Sequence, residues 1–163
     1  MWSGLRAVLR IREIWWICAA QFVGYPAVLS IVGLWAGPYL NDVHGLEGIA
    51  RGNVLLAFNI TMLLGVMAFT TIERWLNSRK TAIIAGGFAS IVPLVILALV
   101  PEPGLWPAFA LLIVFIASSS YFMLIHAHAR AVLPDNLMGR GLTLQNLAVM
   151  LGVFVVASFA MFV

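Results

Sequence analysis

The side chains of this sequence that could do chemistry are mostly uncharged, and they lie deep inside apolar stretches. Gln21 and Tyr25 share one stretch with Pro26, whose missing N–H leaves the carbonyl of residue 22 without its helical partner. Asn59 and Thr61 stand in a second stretch, Ser118 to Tyr121 in a fourth, and Gln145 and Asn146 in a fifth. An amide in hydrocarbon is costly unless paired, so each group must bond another helix or face a wet cavity. Gln21, Tyr25 and Asn59 are the leading candidates for lining a polar path, followed by Tyr121 and Asn146.

Other chemistries find no assembled site. His126 and His128 point about 200° apart on a helix, and no Cys, Asp or Glu nearby completes a ligand set, so no metal is expected. Glu13 and Glu73 are the acids nearest to an apolar stretch, and both sit at its end. There is no phosphate-binding loop, nucleophile elbow or zinc-protease signature. No catalytic residue and no cofactor are expected. The single cysteine, Cys18, reads as a small apolar packing residue.

These residues must be positioned by five apolar runs, at 14–36, 52–72, 81–100, 105–127 and 141–163. A hydrocarbon core about 30 Å thick takes about 20 helical residues to cross, and each run reaches that length. Unbroken apolar character without period-2 alternation excludes a barrel. The fold class is therefore all-α, a polytopic transmembrane bundle forming one domain over 1–163. Hydrophobic residues make up 63% of the chain and charged ones 9%, which excludes an ordinary soluble domain. The net charge of +3 is scattered over short loops, so the partner is a lipid bilayer and not nucleic acid. The first run, about 23 residues long, exceeds the ~7–15 of a signal-peptide core and reads as a retained span.

Eight of the nine basic residues fall at the N-terminus, at 74–80 and at 130–140, the other being Arg51. The positive-inside rule places those three segments, N-terminus included, in the cytoplasm. Trp15 and Trp16, and Trp35 and Tyr39, read as interfacial anchors at the two ends of the first span. Gly37-Pro38 is expected to break that span, and the three prolines of "PEPGLWP" to separate the third from the fourth. The long stretch "HARAVLPDNLMGRG" reads as a loop. Ala82, Gly86 and Ser90, with Ala85 and Ala89 alongside, form a small-residue packing face. Ala20 with Gly24, and Ala148 with Gly152, repeat it.

Two segments resemble the major facilitator superfamily of transporters. The turn "IERWLNSRKTAI" offers Glu73-Arg74 for the family's acidic-basic pair and Arg79-Lys80 for its basic end, with Ser78 and Phe69 where glycines are expected. The segment "ARAVLPDNLMGRGLTLQN" matches the family loop through Ala129, Arg130, Pro134, Gly139, Arg140 and Gly141. The basic opening followed by the first span is similar to the start of a C-terminal half. The resemblance implies half of a major-facilitator-type fold, with five of its six helices. It also implies alternating-access transport of a small solute in the plasma (inner) membrane, with a second transporter half or partner subunit. Two other readings stand beside it: a non-transporting membrane-embedded subunit or truncated remnant, and a membrane enzyme using His126 and His128.

Overall fold

The computed structural model describes residues 2–100 and 102–160. Every regular element among them is helical. These are α1 (Trp2–Leu9), α2 (Arg12–Ser30), a π-helical segment (Ile31–Trp35), α3 (Ala36–Asp42), α4 (Gly48–Leu76), α5 (Arg79–Leu99), α6 (Leu105–Ser119), α7 (Phe122–Val132), a 3₁₀ turn (Asp135–Leu137) and α8 (Met138–Ala160). They compose five stretches long and apolar enough to cross a membrane: Arg12–Asp42, Gly48–Leu76, Arg79–Leu99, Leu105–Val132 and Asp135–Ser158. In the second, only 17% of the hydrophobic window is buried by protein, so its remaining apolar surface needs hydrocarbon around it. Leu63, Phe88 and Phe154 are each more than half exposed on such faces. The chain is an integral membrane protein of the all-α class.

The helices overrun the apolar runs, because backbone hydrogen bonding continues past the point where side chains turn polar. Gly37-Pro38, expected to end the first span, instead sits in the first turn of α3, and the helix carries on to Asp42. Proline's fixed φ fits a helix, and its missing N–H falls just after the π segment, where the hydrogen-bond register is already shifting. Irregularity appears earlier, in the π segment that begins five residues after Pro26. The expected loop "HARAVLPDNLMGRG" is mostly helical too, with α7 reaching Val132 and the 3₁₀ turn leading straight into α8. Conversely, the fourth span is broken at Ser120-Tyr121, between α6 and α7. Pro101 and the last three residues of the fifth run lie outside the described residues.

The chain forms two compact units. The terminal unit comprises the residues up to Ser30 and those from Phe122 onward, holding α1, α2, α7 and α8. Here α2 and α8 pack along their length. Gly152 lies directly against the Phe22 carbonyl and the Pro26 ring, so a side chain at 152 would collide with backbone. Pro26 is what leaves that carbonyl without an amide donor, and the close approach offers it Cα–H contacts instead. Val8 and Ile14 are fully buried near the junction of α1 with α2, and the Trp15 indole donates to the Leu9 carbonyl at 3.0 Å. The Arg140 guanidinium passes over Gly4, holding α1 beside the start of α8.

The central unit, Ile31–Tyr121, holds the π segment and α3 to α6. Ala82, Gly86, Ser90 and Pro93 are its buried face on α5, as the small-residue spacing predicts. Ala85 and Ala89 are exposed and are not part of it. A Cβ on Gly86 would lie 2.8 Å from Phe69 and Tyr121 atoms. A Cβ on Gly65 would lie 2.9 Å from the Ala117 carbonyl, so α4 and α6 meet almost backbone to backbone. Phe58 is buried against Phe109, ring centroids 5.7 Å apart.

Candidate functional site

Among the described residues, four buried side-chain polar atoms within the spans have no hydrogen-bond partner, and all four belong to the terminal unit: Gln21 Oε1, Ser30 Oγ, and both Nε2 and Oε1 of Gln145. Gln21 is inaccessible to solvent, and its amide nitrogen donates to the Phe122 carbonyl at 3.4 Å, a long bond. Tyr25, one turn further along α2, lays its half-buried ring against Phe122 with centroids 4.6 Å apart. Gln145 is likewise inaccessible, and its amide lies beside the His126 imidazole without closing a full hydrogen bond. Phe122 and His126 stand one turn apart on α7, a rise of about 6 Å. The two glutamines therefore address successive turns of one helix, and each retains unused polar capacity.

The remaining candidates from the sequence are placed differently. Asn59 is exposed, and its amide donates back to the Leu55 carbonyl of its own helix at 2.8 Å. Tyr121 is half-buried in the central unit, its ring edge-on to Phe69 at 6.3 Å and seated over Gly86. Asn146 is exposed. Gln21 and Tyr25 thus converge on Phe122, whereas Asn59 and Asn146 face outward. Gln145 did not stand among the leading candidates, although the sequence carries its signal. Gly141, Gln145, Val149 and Gly152 recur at helical spacing and form the buried stripe of α8, which puts Asn146 off the packed face.

The motif-like segments have definite local structure. Asn77 takes the left-handed conformation that ends α4, with φ of 46°, a backbone asparagine tolerates better than most residues. Ser78 then caps α5, its Oγ accepting from the Thr81 amide at 3.4 Å, so a serine has a use where the family pattern expects glycine. Arg79 Nε donates to Glu73 Oε1 at 2.6 Å across this turn, while Arg74 and Lys80 are exposed. Arg130, also exposed, stands in the last turn of α7, where a positive charge complements the helix dipole. His126 and His128 are both half-buried. Among the described residues no three His, Cys, Asp or Glu side chains group to hold a metal.

Chemically, the terminal unit offers donors and acceptors without a formal charge, in a setting where an unmade hydrogen bond is expensive. Water or a small polar molecule that reached these atoms would find bonds to complete, a neutral one at the lower desolvation cost. No protein-family model, no curated protein and no solved structure matches this chain.

Proposed function

We propose that the chain takes part in moving a small solute across the plasma (inner) membrane by alternating access, as a major-facilitator-type half. A second transporter half or partner subunit completes the path. The observation that best supports this reading is the set of unpaired amide atoms on Gln21 and Gln145, fully buried in spans that otherwise repel polar groups. Bundle packing alone gives such atoms no use, whereas a polar cargo or its water would satisfy them. Interrupted spans, at Ile31–Trp35 and at Ser120-Tyr121, also suit a transporter, because broken helices line cargo sites in such proteins.

The test is uptake by proteoliposomes carrying the chain with its membrane partner, against a panel of radiolabelled neutral solutes. Gln145→Leu should lower uptake several-fold while leaving expression and thermal stability near the parent's. Uptake that is equal in the variant and the parent sinks the assignment of this site. In the proposed orientation the N-terminus, 73–80 and 128–140 are cytoplasmic. Asn77→Cys should then resist an impermeant thiol reagent in intact cells while Asn41→Cys reacts.

The exposed amides of Asn59 and Asn146 favour a second reading, a non-transporting subunit that docks another membrane protein through them. Under that reading Asn59→Leu abolishes co-purification of the partner, and Gln145→Leu changes nothing.

A further inference from the structure

We propose that the central unit holds one acyl chain of a bilayer phospholipid in a groove between α3 and α5. This inference rests only on the membrane location of the chain and is independent of transport. The groove has a volume of about 370 Å³ and is not enclosed. Ile31, Trp35 and Tyr39 line one wall at four-residue steps, and Leu94, Leu97 and Val100 line the other at three-residue steps. Leu112 of α6 contributes to the lining as well. The gap exists because α3 rests on α4 while α5 rests on α6, so these two walls do not close on each other. Ile31 and Trp35 are the first and last residues of the π segment, whose wider turn resets the direction of the wall.

Several features select the occupant. The walls follow the helix axes, Leu94 to Val100 alone covering about 9 Å, so whatever fills the groove lies along the spans as lipid tails do. Its volume accommodates about a dozen groups of water size, and a methylene is close to that size. Of the lining residues only Trp35 and Tyr39 carry a polar side-chain atom, and Tyr39 lies toward the end of α3, its ring edge to face with His44 at 5.1 Å and Asn41 and Asp42 following it in sequence. The deep end, at Ile31, Leu94 and Leu112, is apolar. A polar helix end beyond an apolar slot matches a headgroup above its chain. Leu34, Ile96 and Leu99, each next in sequence to a lining residue, are exposed apolar side chains, so the surface around the groove belongs in hydrocarbon and a chain reaches it from the bilayer. Because surrounding tails are as apolar as the groove, residence comes from van der Waals contact along both walls.

The experiment reconstitutes the full chain in phosphatidylcholine bearing a diazirine in mid-chain, followed by photolysis and peptide mapping. Label should concentrate on the groove residues 31–39 and 94–100, several-fold above the lipid-facing stretch 88–92. Leu97→Trp, which fills the slot, should remove most of the groove label and spare 88–92, while Leu97→Ala keeps both. Equal labelling of the two stretches in the parent overturns the proposal, and this comparison stands without any variant. Unchanged groove label in a folded Leu97→Trp protein overturns it as well. If free fatty acid chases the label from the groove, the occupant is a free single-chain amphiphile and the phospholipid assignment fails.

Discussion

The two compact units handle polar groups in opposite ways. In the central unit the buried hydroxyls return to backbone: Ser120 Oγ donates toward the Ile116 and Met62 carbonyls, at 2.9 and 3.2 Å, and Ser90 to that of Gly87 at 2.8 Å. Thr61 does the same with Ala57 at 2.8 Å. A hydroxyl is short enough to bond its own helix, so such residues can be buried in lipid without help. In the terminal unit two of the three described buried polar residues are glutamines, whose longer side chains reach past their own turn and need a partner on another helix. Gln21 finds one of its partners, Gln145 has only the neighbouring His126 imidazole without a full hydrogen bond, and Ser30 is left unpaired. One unit reads as framework, the other as a place where polar capacity is kept in reserve.

The sharpest way to break this contrast is at the glycines. Gly152→Ala puts a methyl group into the Phe22 carbonyl, and backbone held between two long helices gives little. Its cost should reach about 3 kcal/mol, the upper end of ordinary overpacking. A thermal-unfolding midpoint near the parent's would mean that α2 and α8 are not locked together. Gly86→Ala in the central unit meets side chains instead, Phe69 and Tyr121 at 2.8 Å, which can move. A loss of about 1 kcal/mol is expected, with Gly86→Leu far worse, since a branched side chain cannot be absorbed there. Equal penalties for Gly152→Ala and Gly86→Ala would erase the distinction between the two interfaces. The smallest effect belongs to Glu73→Gln. Its ion pair with Arg79 is partly exposed, so unfolding in detergent should shift by less than about 1 kcal/mol, and less again in high salt. A larger loss would make this turn a structural element of the central unit.

Much of the fold is legible in the residues. Continuous apolar length marks the five crossings, and the small-residue spacing of Ala82, Gly86 and Ser90 marks a true packing face. What composition cannot convey is where hydrogen bonding slips from one pattern to another. Nothing in "IVGLW" separates a π segment from an α-helix, and Ser120-Tyr121 carries no proline or glycine to announce a break. The site is only half legible for a related reason. Depth along a span follows from counting residues, which brought Asn59 and Asn146 forward, but facing depends on the neighbour. Gln145 differs from Asn146 by one step around the helix, and only the stripe through Gly141, Val149 and Gly152 tells them apart.

The division of the sequence between the units also sets a timetable. The central unit is continuous from Ile31 to Tyr121, so its helices can pair in the order in which a ribosome delivers them. The terminal unit is split, with α2 made early and its main partner α8 made last, more than a hundred residues later. Until α7 and then α8 arrive, the face of α2 around Gly24 and Pro26, and the Gln21 amide with it, has only lipid or a helper protein for company. A chain stalled before Phe122 would therefore carry the Gln21 amide in hydrocarbon without its one donor bond, the kind of lesion by which a quality-control system could recognise an unfinished membrane protein.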